Sequence, residues 1–243
     1  MGMIDRVKNI ILTPKTEWPV IDGETATTQG LLLNYGAPLA AIGAVAGFIG
    51  NSIIGHSIPF IGITVRTPIV MGVLGAVIGI VLGLAMVFVL SLIIDALAPS
   101  FGAEKNQSRA IKVAAYSMTP AWVAAVFTIL PWIGGLLALI GAFYAVYVLY
   151  LGIRAVMRSP EDKAIGYTAV VVICAAVISF IAIIVIGAIT AVGAGAAGAL
   201  SSVGGSSPSI ASSGVTFDKG SPMAKLEQFG KSMEAVNKQM ETA

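Results

Sequence analysis

Charge is what this chain has least of. Asp, Glu, Lys and Arg make up 11% of its 243 residues, against roughly 25% in an ordinary soluble domain. With 57% hydrophobic residues and a mean hydropathy of +0.93, a water-soluble fold of this size could not cover its surface. A single cysteine, Cys174, lies within an apolar run; this excludes an internal disulfide and a Cys-based zinc site, and it reads as a small core hydrophobe. A single histidine, His56, offers no metal constellation, so neither a metal nor a cofactor is expected. HExxH, GxSxG, a Walker lysine and paired intramembrane aspartates are all missing, and catalysis is therefore not expected. The net charge of +2 gives no basic field for nucleic acid. No secretory leader is legible either. Residues 1–30 carry Asp5, Arg6, Lys8, Lys15, Glu17, Asp22 and Glu24 where a basic start, a short apolar stretch and a small-residue cleavage site would be needed.

What charge there is, is segregated. Residues 25–65, 67–94, 113–153 and 164–217 contain no Asp, Glu, Lys or Arg, and each run exceeds the roughly 20 apolar residues that span hydrocarbon. The pattern predicts an all-α, polytopic membrane helix bundle with about five transmembrane helices at 31–55, 68–97, 111–130, 132–153 and 165–191. Pro131-Trp132 with Gly134-Gly135 divides the third charge-free run into a hairpin, because proline removes a backbone donor and tryptophan favours the membrane interface. Basic residues set the orientation. Arg6, Lys8 and Lys15, then Lys105, Arg109 and Lys112, then Arg154, Arg158 and Lys163 fall on one side and Arg66 on the other, while Lys219, Lys225, Lys231 and Lys238 lie too far beyond the fifth span to count. An N-terminus in the cytoplasm and a C-terminus outside it are the consistent solution.

Both ends carry amphipathic pattern. Met3, Val7, Ile10 and Ile11 fall at helical spacing before Thr13-Pro14. Two placements suit that short helix: at the headgroup boundary, with Arg6 and Lys8 toward anionic lipid and Trp18 at the same depth, or packed on the end of the bundle. Residues 193–220 are rich in Gly, Ala and Ser and read as a flexible tether whose first residues extend the fifth helix. At 221–243, Ser221-Pro222 opens a C-terminal amphipathic helix with Leu226, Phe229, Met233, Val236 and Met240 on one face.

Three groups of residues are candidates for function or helix packing. Gly75, Gly79 and Gly83 stand four residues apart in the second span and would let a neighbouring helix approach closely, within this bundle or in self-association. Asp95 follows 28 uncharged residues near the end of that span. Its readings are an ion pair with Lys112 or Arg109, proton or ion coupling, or contact with a partner. Tyr116, Ser117, Thr119 and Pro120 in the third span, with Asn34, Tyr35 and Pro38 in the first, are placed to line a polar crevice or to hydrogen bond between helices, since a proline frees a backbone carbonyl that hydroxyls can satisfy.

The segments "MIDRVKNIILTPKTEWPVI" at 3–21, "LAPSFG" at 97–102, "AYSMTPAWVAAVF" at 115–127 and "LYLGIRAVMRSPEDKAIGYTAV" at 149–170 together resemble the bacterial branch of the Yip1 domain family. The resemblance covers about residues 3–190 and implies five spans, a cytoplasmic N-terminus, a short exit after the last helix and residence in the inner membrane. Eukaryotic members of that family are implicated in vesicle trafficking with Rab-type GTPases. Their Asp-Leu-Tyr-Gly-Pro signature does not occur here, so trafficking is not carried over. The expected function is a non-enzymatic membrane scaffold whose partners are the lipid bilayer, other membrane proteins or a second copy of itself. The alternative is a small-solute or ion transporter or channel working through Asp95 and the Tyr116–Pro120 kink. A distant alternative is an intramembrane enzyme.

Overall fold

A computed structural model describes residues 1–58, 63–130, 133–203 and 215–217. Two short helices, α1 (Met3–Leu12) and α2 (Pro14–Gly23), precede the membrane-embedded part. Five helical segments are long and apolar enough to cross a membrane: Thr28–Ile54, Ile69–Phe101, Gln107–Ile129, Ile133–Ala155 and the start of a helix that runs from Glu161 to Val203. The expected all-α bundle of five spans is what the chain forms. Pro131 and Trp132, on which the hairpin reading rested, lie outside the described residues, as does the segment 221–243.

The third span is the least hydropathic of the five and the most buried, with 67% of its most apolar stretch inside the protein against 22–33% in the others. The two properties have one cause. A helix solvated by lipid must be apolar all round, whereas a central helix can carry Tyr116, Ser117 and Thr119 because it faces other helices, and the Thr119 hydroxyl meets Tyr35 of the first span. The third span packs most extensively on the fourth span and also meets the first and second. Its α-helix ends at Ser117 and restarts at Thr119. Pro120 has no N–H to offer the carbonyl four residues back, which is that of Tyr116. The Thr119 hydroxyl takes that place, donating to the Tyr116 carbonyl at 2.7 Å.

The first span is also irregular. Leu31–Gly36 and Ile49–Ile54 are wound as π-helix, and the Ala37 N–H bonds the Leu32 carbonyl five residues back just ahead of Pro38. Close helix approach occurs at glycines other than the regularly spaced set. A Cβ at Gly141 would lie 2.2 Å from the Ala124 Cβ, and one at Gly152 would lie 2.6 Å from Trp18 Cζ2.

α1 and α2 pack on the end of the bundle. Ile10, Trp18 and Ile21 are each 1% exposed, and the Tyr144 hydroxyl of the fourth span donates to the Ile11 carbonyl at 2.8 Å. α1 is thus docked on the bundle, and Arg6 and Trp18 do not face outward as the lipid-facing placement has them. Both are buried inside the protein.

Three-residue strands appear at the opposite end. β1 (His56–Ile58) pairs antiparallel with β2 (Ile63–Val65), His56 opposite Val65, and β2 pairs with β3 (Val215–Phe217), Ile63 opposite Phe217. The stretch read as a tether is thus helical to Val203 and then returns to the connection between the first two spans. Its alanines explain the helix, since alanine has the strongest intrinsic helix propensity.

Candidate functional site

The three basic segments of the sequence converge at one end of the bundle, where they meet the acids of the N-terminal region. Arg6, 5% exposed, pairs with Glu17 and Glu24, and Asn9 donates to the second Glu17 oxygen at 3.0 Å. The Arg6 guanidinium also lies over the Tyr116 ring, 5.6 Å from its centroid. Burial disfavours the Arg6 charge more than any single contact favours it, yet the hydrogen bond and charge of Glu24, with Tyr116 and Glu17, outweigh burial and raise its pKa. Lys112 reaches from the third span to the carbonyls of Ile21 at 3.1 Å, Asp22 at 3.4 Å and Glu24. Those groups sit at the C-terminal end of α2, where helical carbonyls lack intrahelical donors and the helix dipole favours a cation. Arg109 pairs with Glu104 and lies 3.8 Å from Asp22. Arg158 spans to Glu104 at 3.2 Å and Asp22 at 4.0 Å.

Directly inside this ion-paired end lies an aromatic and hydroxyl cluster. The rings of Tyr35 and Tyr116 meet edge to face with centroids 4.7 Å apart, and Trp18 meets Tyr116 at 6.5 Å. The Tyr35 hydroxyl is 2.7 Å from the Thr119 hydroxyl. Thr119 has one proton, which goes to the Tyr116 carbonyl, so Tyr35 is the donor and a directed chain runs Tyr35 to Thr119 to Tyr116. A cavity of about 820 Å³ opens above the cluster, lined by Arg6, Glu24, Asn34, Tyr35 and Tyr116 among others.

The structure therefore unites Tyr116 with Tyr35, Thr119 and Asn34, as the crevice reading expects, with Pro120 supplying the break. Ser117 is 2% exposed and its hydroxyl has no partner among the described residues. Asp95 stands apart from this group, beside Tyr167 of the fifth span, whose hydroxyl donates to the Ile94 carbonyl. The expected pairing of Asp95 with Lys112 or Arg109 does not form. Lys112 is occupied by the end of α2 and Arg109 by Glu104 and Asp22, leaving one Asp95 oxygen buried without a partner among the described residues. Gly75, Gly79 and Gly83 do not carry helix packing within the bundle either. A Cβ at any of them would meet nothing within 4 Å, and they line an open groove of about 410 Å³ between the first two spans.

Sequence reasoning missed the Arg6–Glu17–Glu24 network and the role of Lys112. A signal was present. The first 24 residues hold four acids beside three bases, a balance that suits internal pairing better than a helix lying on anionic lipid.

Five apolar helices, a buried central span and an ion-paired cap at one end define a multi-pass α-helical integral membrane protein. Within that class, residues 8–183 match the Yip1 domain, and the chain belongs to the Yip1 domain family. No curated protein and no solved structure matches it.

Proposed function

We propose that the chain is a non-enzymatic scaffold of the inner membrane, of the bacterial Yip1 branch, with its basic end and N-terminus in the cytoplasm, and that it holds lipids or other membrane proteins against its flanks. The observation that carries this reading is the third span. Its Thr119 hydroxyl bonds both within the span and to Tyr35 of the first span in a packed interior, an arrangement that stiffens a bundle. The nine basic residues gathered at one end fit a cytoplasmic face by the bias of basic residues toward that side.

One observation favours the rival, a small-solute or ion transporter. An unpartnered carboxylate oxygen on Asp95 and a broken third span are features that transport proteins use. The two readings part in a flux assay on reconstituted liposomes. The scaffold predicts no movement of protons, monovalent ions or small solutes above that of empty vesicles, and crosslinking in native membranes with mass spectrometry should recover reproducible neighbours. Flux that disappears in Asp95→Asn would overturn the scaffold.

A further inference from the structure

At the basic end the arginines and Lys112 are spoken for, while Lys8, Lys15, Lys105 and Lys163 make no ion pair among the described residues. Arg6, Arg109, Arg158 and Lys112 all have carboxylate or carbonyl partners. Lys15 is exposed on α2. It borders a cavity of about 510 Å³ between α2 and the facing ends of the fourth and fifth spans, lined also by Trp18, Leu151, Arg154, Ala155, Ser159 and Glu161. The volume falls within the roughly 300–1,000 Å³ of small-molecule sites. Two of its lining residues hold orphaned polar atoms. Trp18 is 1% exposed and Ser159 7% exposed, yet neither the Trp18 indole nitrogen nor the Ser159 hydroxyl has a hydrogen-bond partner among the described residues. Buried polar groups are paired in the great majority of cases, so two orphans in one cavity point to an occupant.

The chemistry of the occupant follows from the inventory. An indole N–H only donates, an ammonium and a guanidinium only donate, and a hydroxyl can donate. The one acid, Glu161, is already held by Arg154. The cavity therefore offers donors and positive charge to a ligand of acceptors and negative charge, which describes a phosphate group.

Its surroundings say which phosphate. Arg154 lies over the Tyr150 ring, 5.7 Å from the centroid, with its guanidinium 3.4 Å from the Tyr150 hydroxyl. Tyr150 in turn borders a second hollow of about 540 Å³ in the seam between the fourth and fifth spans, walled by Phe143, Val146, Ile165, Ala169 and Val172. That seam is almost wholly apolar. A donor-rich cavity at the end of two membrane helices, joined through Arg154 and Tyr150 to an apolar groove along the same helices, has the layout of a phospholipid, headgroup and chain. A free phosphate would use only the first part.

We infer that an anionic phospholipid docks at this seam, its phosphodiester held by Lys15, Arg154, Ser159 and the Trp18 indole and one acyl chain lying in the groove beside Ala169. The site stands independently of whether the bundle is a scaffold or a transporter. Its test uses the full-length protein, purified in detergent, stripped of lipid and examined by native mass spectrometry and thermal melting with phosphatidylglycerol, phosphatidylcholine or inorganic phosphate added in separate arms. Phosphatidylglycerol should bind and raise the melting temperature. Lys15→Gln and Ser159→Ala should each weaken that binding roughly tenfold, the usual size of a lost hydrogen bond to a charged group. Ala169→Trp, an exposed position that fills the groove, should weaken it as well. Lys8→Gln, exposed and remote from the cavity, should leave it unchanged and thereby separates a site from general attraction to charge. Equal binding of phosphatidylglycerol by all four variants and the unaltered protein, or equal binding of phosphatidylcholine, would overturn the proposal. Stabilisation by inorganic phosphate without retention of phosphatidylglycerol would overturn the lipid assignment.

Discussion

Trp18 and Gly152 fit each other as a knob fits a notch. The indole fills the space that any side chain at 152 would occupy, with its Cζ2 2.6 Å from the position of a Cβ there. Gly152→Leu should therefore push α2 off the fourth span, at about 1–3 kcal/mol for forced overpacking. A lower thermal midpoint and faster proteolysis before residue 28 would check it. Trp18→Ala should cost about 3–5 kcal/mol by cavity formation, and the two losses should not add, because they remove the same contact. Lys112→Met should be comparably harmful for a different reason, leaving the Ile21, Asp22 and Glu24 carbonyls without their shared donor, with about 1–3 kcal/mol for each buried acceptor that water cannot reach. Arg6 works in the same cap. Its pKa is raised on folding, so its stabilising contribution is complete below the ordinary guanidinium value and would fade only above it, outside any usable range. The partners of Lys112 and Trp18 were not legible in sequence. Each pairing joins residues far apart in the chain, Lys112 to Glu24 or Trp18 to Gly152, and a single sequence records neither partner choice nor packing.

Among the helices, the break in the third span is where local chemistry and packing coincide. Thr119→Val keeps the shape of the side chain and deletes the hydroxyl that serves two groups, so it strands the Tyr116 carbonyl and the Tyr35 hydroxyl together. The expected loss of about 1–3 kcal/mol should show as a lowered midpoint, and Thr119→Ser should restore most of it. Tyr35→Phe in the Thr119→Val background should then cost little, because its hydroxyl has already lost its acceptor. Number and type of the membrane helices were readable in the sequence, since bilayer thickness sets a minimum length on apolar runs. The kink was readable too, from Pro120 and the hydroxyls around it. The Gly75–Gly79–Gly83 pattern misled for an instructive reason. Small residues permit close approach without compelling it, and among the described residues close approaches fall instead at glycines such as Gly72, Gly134, Gly141 and Gly152. The short strands escaped because three-residue segments carry too little alternation to register.

Over the whole molecule, the fold gathers Lys105, Arg109, Lys112, Arg154 and Arg158 at the end that also holds α1 and α2, while Arg66 lies at the other, 3.4 Å from the Ile54 carbonyl. With Cys174→Ser as background, Ser108→Cys, an exposed site at the basic end, should react with a membrane-impermeant thiol reagent only after permeabilisation. Arg66→Cys should react in intact cells, and the reverse pattern would invert the proposed topology. The charge segregation on which the proposed sidedness rests is the same property that lets the cap form, because acids and bases sharing one end have each other to pair with.

The helix from Glu161 to Val203 would measure about 65 Å at 1.5 Å per residue, roughly twice the thickness of the hydrocarbon slab, and yet the chain beyond it comes back to lie alongside β2. That return stitches the exit of the last helix to the loop joining the first two, so the two ends of the bundle's wiring are fastened at one place. Clipping the polypeptide after Val203 would strip β2 of its outer neighbour and leave a row of bare amides and carbonyls, a template on which another molecule could add a strand. The shortened protein should accordingly clump in detergent at concentrations where the full one stays monodisperse.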